Sequence, residues 1–149
     1  MKKFEFHLAK LLSYKDQNLE NEMMILAAFN KQLQEEQKRL SALKIDRENC
    51  NHNFEKKMSM GITPESCQVY LRYMTYLNDQ IKIIVKKILA IAEKIDGQIE
   101  IVKNLKLETR SLEIIKETRY NEYKKEMVKE SEKQMEEFIV TAKIMNNGF

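Results

Sequence analysis

Leucine recurs at strict seven-residue intervals, at Leu12, Leu19, Leu26, Leu33 and Leu40. A seven-residue repeat is the pattern of a helix that wraps another helix along one seam, because it keeps one stripe facing the partner. A second array, Tyr70, Met74, Leu77, Ile81, Ile84, Ile88, Ile91 and Ile95, alternates steps of four and three. Between the two arrays lies the only proline, Pro64, three residues after Gly61. The pattern predicts an all-α chain in which two long helices form an antiparallel coiled-coil hairpin.

The first helix is expected from about Phe4 to about Met58, its leucine row flanked by Leu8, Leu11, Met23, Phe29 and Leu43. Asp16, Asn30 and Gln37 fall where a second seam residue is expected. They either fix register from within the seam or sit exposed at its edge. The turn is expected at residues 59–63. Gly61 suits the left-handed end of a helix, Thr63 an N-cap, Pro64 the first helical position, and Glu65 the helix dipole. The second helix is expected from Pro64 to about Lys143. It passes through Gly97, because the apolar phase runs on through Ile91, Ile95, Ile99, Val102 and Leu105; a lone glycine costs a helix only about 1 kcal/mol. The whole, residues 1–149, reads as one coiled-coil domain.

The helices are unequal, about 80 Å against about 120 Å at 1.5 Å per residue. Folding back at Gly61 brings Leu12 near Arg110 and Phe4 near Thr118. Residues beyond about Arg119 are then expected to lack an intramolecular partner. This overhang carries an apolar stripe of Tyr120, Tyr123, Met127, Met135, Phe138 and Ala142, beside a charge ladder pairing Glu122 with Lys125, Glu126 with Lys129 and Glu130 with Lys133. The ladder keeps a solvated helix helical, at about 0.2–0.5 kcal/mol per pair. The apolar stripe suits a groove or ring on another protein, the alternative being a frayed tail. Nearer the turn, Val69, Tyr73, Tyr76, Gln80 and Ile83 repeat the spacing one residue out of phase with the seam. That face is a protein-binding patch or a broadened core.

Composition adds exclusions. The chain has 149 residues, no Trp, three Gly and one Pro, and a third of its residues are charged. So few breakers suit long helices rather than a compact globule. A net charge of +3, set against 26 basic and 23 acidic residues, gives no electrostatic case for nucleic acid. Lys2, Lys3 and Lys10 do not make the basic region of a DNA-binding zipper. Glu5, His7 and Lys10 interrupt any signal-peptide core, and Lys82, Lys86, Lys87, Glu93 and Lys94 break the most apolar stretch, so direct membrane insertion is not expected. The expected compartment is the cytoplasm. Cys50, His52 and Cys67 supply three metal-ligand types without a fourth and read as two reduced thiols near the hinge. No catalytic constellation, cofactor motif or metal motif is present.

Three segments, in order, resemble the flagellar export protein FliJ family. They are Phe4-x-Phe6-x-Leu8-x-Lys10-Leu11-Leu12-x-x-Lys15; Gly61-x-Thr63 followed by Tyr70-Leu71-x-Tyr73-x-x-x-Leu77-x-x-x-Ile81; and Leu112-Glu113-x-x-Lys116-Glu117-x-Arg119-x-x-Glu122-Tyr123-x-x-Glu126. Glu136-Glu137-Phe138 departs from the more acidic ending usual in the family. The resemblance implies a non-catalytic component of the flagellar type III export apparatus, similar to the central stalk of rotary ATPases and peripheral to the cytoplasmic face of the cell membrane. It implies three partners: the hexameric export ATPase, the cytoplasmic domain of the membrane export gate, and export chaperones. Carried onto this chain, the ATPase-facing end would be Phe4, Phe6, Leu8, Tyr120, Tyr123, Met127, Met135 and Phe138. The gate-facing patch would be Tyr73, Tyr76, Gln80 and Ile83. The alternatives are the equivalent stalk of a virulence-type secretion system and a structural coiled coil that self-associates through its leucines.

Overall fold

A computed structural model of the chain describes residues 2–148. It contains two helices, α1 (Ala9–Met60) and α2 (Pro64–Asn147). Gly61 ends α1 with φ of +93°, a conformation that costs a residue bearing a Cβ, and its N–H donates to the Met58 carbonyl at 3.4 Å. Thr63 Oγ1 then accepts the Ser66 N–H at 3.2 Å, and the Thr63 carbonyl accepts the Cys67 N–H at 3.0 Å. Thr63 is thus the N-cap, and Pro64 opens α2 where a missing N–H costs nothing.

The chain divides into two compact units. The unit Glu20–Lys103 is built around the turn. Its helix pair is antiparallel: Phe54 meets Tyr70 with ring centroids 5.7 Å apart, and Arg47 donates to Asn78 Oδ1 at 3.3 Å. Farther from the turn, Gln98 Nε2 donates to the Glu22 carbonyl at 2.9 Å and to its carboxylate. These pairs centre near Ile62, because the turn occupies residues 61–63. Leu77 is 1% exposed, and Ile81, Ile84, Ile95 and Cys50 are also buried. Leu26, Leu33, Leu40 and Leu43 are half-buried.

Two seam positions differ from the sequence pattern. On α1 the second row lies three residues after each leucine rather than four: Glu22, Phe29, Glu36, Leu43 and Cys50 are covered, whereas Asn30 and Gln37 are exposed. Both rows flank the leucines, and the one that buries Phe29, Leu43 and Cys50 removes more apolar surface from water. On α2, Ile99 is exposed and Gln98 is buried in its place. The alternation of four and three, carried on from Ile95, reaches Gln98 and then Val102, so strict heptad geometry prevails over the apolar residue one step away. Gly97 lies on an exposed face, and α2 continues through it.

The unit Met1–Leu19 with Asn104–Phe149 contains both chain ends. Leu12, Leu112 and Phe6 form its buried cluster, with Phe4 and Leu8 packed against it. Lys15 Nζ reaches Glu108 Oε2 at 2.7 Å, while Asp16 is exposed. Leu12 packs in one cluster with Leu112, two residues beyond Arg110.

Candidate functional site

Helix α1 begins at Ala9, not Phe4. Residues 2–6 are non-helical, and a turn at His7 and Leu8 leads into α1. Burial in this segment alternates: Phe4 is half-buried, Phe6 is 8% exposed and Leu8 is half-buried, whereas Lys3, Glu5 and His7 are exposed. Alternation of that kind is the signature of an extended strand with one face covered. We call residues 2–8 the strap.

The Phe4 ring stands 5.2 Å from Tyr120 and 5.5 Å from Tyr123, and the Tyr123 hydroxyl donates to the Lys2 carbonyl. Lys124 Nζ lies over the Tyr120 ring, 4.6 Å from its centre. The expectation that pairing ends at about Arg119 is thereby corrected, since partners for α2 extend to Tyr123, with Met127 half-buried in the same groove.

The eight residues proposed from sequence as one surface consequently divide. Phe4, Phe6 and Leu8 face inward onto α2 and brace it. Tyr120, Tyr123 and Met127 lie at the edge of that packing. Met135 and Phe138 are bare, Phe138 at 73% exposure.

Every described residue from 128 to 148 is exposed. None of the expected ladder pairs at Glu122, Glu126 or Glu130 closes. The three ion pairs among the described residues are Lys15–Glu108, Arg39–Glu36 and Arg110–Glu113. Exposed pairs exchange one good solvation shell for a weak attraction, so staying apart costs little. Beyond Phe138, four apolar residues outside the expected stripe, Ile139, Val140, Ile144 and Met145, are also exposed. With Phe138 they stand at about 0°, 100°, 200°, 240° and 340° around the helix at about 100° per residue. The end of the tail thus exposes apolar side chains on several sides, with Thr141, Lys143 and Asn147 between them, rather than along one stripe. Exposed apolar surface of this kind is a mark of interaction sites in general.

The off-phase face near the turn is open. Tyr73 and Tyr76 are 45% and 55% exposed, their rings 6.3 Å apart and 24° from parallel. Val69 and Ile83 are exposed beside them, and Gln80 is half-buried. Both rings are therefore left open to solvent instead of widening the core. Cys50 is a buried thiol of the seam and Cys67 a half-buried one in the first turn of α2; both are free. No helix among the described residues is long and apolar enough to cross a membrane.

No curated protein and no solved structure matches the chain. A family model does: that of the flagellar FliJ protein, over residues 4–148. The match takes in the strap from Phe4, both helices and the bare tail. The family is a non-enzymatic component of flagellar protein export. With the match spanning nearly its whole length, this chain belongs to the FliJ family.

Proposed function

We propose that this protein is a coupling stalk of the flagellar export apparatus, with its tail held inside the pore of the hexameric export ATPase. The observation that carries this reading is the set of exposed apolar side chains on several sides of the end of α2. Exposing Phe138, Ile139, Val140, Ile144 and Met145 on several sides is unfavourable in water, and a flat groove would cover only some of them. A ring covers them all. Met135 and Phe138 are the first contacts, and Tyr120, Tyr123 and Met127 form the base of the inserted segment. The strap residues Phe4, Phe6 and Leu8 support that base from behind.

The export gate is assigned to the open face of Tyr73, Tyr76, Gln80 and Ile83. Stacked phenol rings offer large, rigid area with polar tips, the composition of interface hot spots. Handling of export chaperones belongs to the same reading and rests on family membership alone. The protein acts at the cytoplasmic face of the membrane, where ATPase and gate meet.

Co-purification with the hexameric export ATPase tests the reading, using the intact chain and a truncation after Met127. The truncation keeps the strap's partners and should lose the ring. Equal retention of both chains would end the tail hypothesis. Separately, Tyr73→Ala with Tyr76→Ala should lose the gate domain while keeping full helicity, and unchanged gate affinity would remove that face from the account.

A further inference from the structure

From Leu112 one apolar row of α2 runs through Tyr120, Tyr123 and Met127 to Met135 and Phe138. Only its inner part is covered, and the cover is the strap. That cover is held unevenly. Phe6 is buried against Leu12 and Leu112, and its carbonyl accepts the Ala9 N–H at 3.1 Å. Residues 2–5 have no such hold. No backbone–backbone hydrogen bond ties them to α2 among the described residues, because the carbonyls and N–H groups of a helix interior are already paired. They are held by the half-buried Phe4 ring and by the Tyr123 hydroxyl on the Lys2 carbonyl. Lys2 and Lys3 also line a groove with Glu126 and Glu130, a complementary arrangement that salt screens. Local opening begins where buried apolar contacts are fewest.

We infer that residues 2–5 are a displaceable cover on the inner end of the ring-binding stripe, hinged at Phe6. In the free protein the cover shields part of Tyr123 and Met127, which are half-buried, and packs one edge of Tyr120, which stays 41% exposed. When the ring advances along the tail it displaces the cover and takes over its ring contacts. Phe4 is then a stand-in for the partner, not a contact to it. The inference rests on the ring-binding reading for what displaces the cover, but not for the cover itself.

Deletion of residues 2–5 tests both parts. In the free chain, with Cys50→Ala and Cys67→Ser removing the native thiols, Met127→Cys should react with a maleimide several-fold faster after the deletion, while Phe138→Cys keeps its rate. Equal rates at position 127 would overturn the cover. With the native cysteines restored, the deleted chain should bind the purified hexameric ATPase several-fold more tightly than the intact chain. Equal binding would overturn displacement, and weaker binding would in addition make Phe4 part of the contact surface. If the intact chain does not bind the ring at all, the ring-binding reading fails, and the maleimide rates still decide whether the cover exists.

Discussion

The ring of Phe4 stands edge-on to that of Tyr120, with centroids 5.2 Å apart and planes at 61°. The contact joins the non-helical start of the chain to a residue more than a hundred positions later. Edge-to-face pairs of this kind contribute about 0.5–1.5 kcal/mol beyond the area they bury. Phe6, two residues on, is far more deeply covered. Urea unfolding of full-length variants should separate the two: Phe4→Ala should cost about 1 kcal/mol and Phe6→Ala about 3 kcal/mol. Equal costs would mean that the strap is held evenly along its length.

Leu77 is the most completely buried large side chain of the seam, at 1% exposure. Leu77→Ala should destabilise the unit around the turn by about 2–5 kcal/mol, through lost burial and the cavity left behind. Leu89→Ala, on an exposed face of the same helix, should change stability by less than about 0.5 kcal/mol. Thermal melts of the two variants followed by circular dichroism provide the comparison.

Thr109 occupies a buried seam position, and its hydroxyl has no hydrogen-bond partner. Valine has the same shape without the unpaired group. Thr109→Val should therefore stabilise the protein by about 1 kcal/mol, seen as a higher denaturant midpoint at unchanged slope. A destabilised variant would show that the hydroxyl is satisfied in solution.

Two glycines should respond to alanine with opposite signs. A Cβ at either Gly61 or Gly97 would meet nothing within 4 Å, so backbone conformation alone decides. Gly61 has φ of +93°, and Gly61→Ala should cost about 1–2 kcal/mol. Gly97 lies inside α2, and Gly97→Ala should stabilise by about 1 kcal/mol. Paired denaturation curves check both signs.

Much of this architecture is legible in the chain. The leucine and isoleucine arrays, with Gly61 and Pro64 between them, specify two helices and their turn, because period and caps are local properties. The side on which α1's second row falls is not local. Phe29 and Asn30 are equally near the leucine row, and only the partner helix selects between them. The strap left a signal that helical expectation overrode: Phe4-Glu5-Phe6-His7-Leu8 alternates with a period of two, and no capping side chain precedes Ala9 at a helix start near Phe4. On the tail, Met135 and Phe138 continue the row of Tyr123 and Met127 and are legible from its spacing, whereas Ile139, Val140 and Ile144 are spread around the helix and share no single face.

That spread is what separates a surrounding ring from a groove. Phe138, Ile139 and Val140 point to three different sides of an exposed helix, and single changes there should leave the free protein's stability within about 0.5 kcal/mol. The decisive measurement is the affinity of Phe138→Asp, Ile139→Asp and Val140→Asp, each alone, for the purified hexameric export ATPase. Enclosure in the pore predicts at least tenfold weakening from all three. Full affinity in any of them would contradict it.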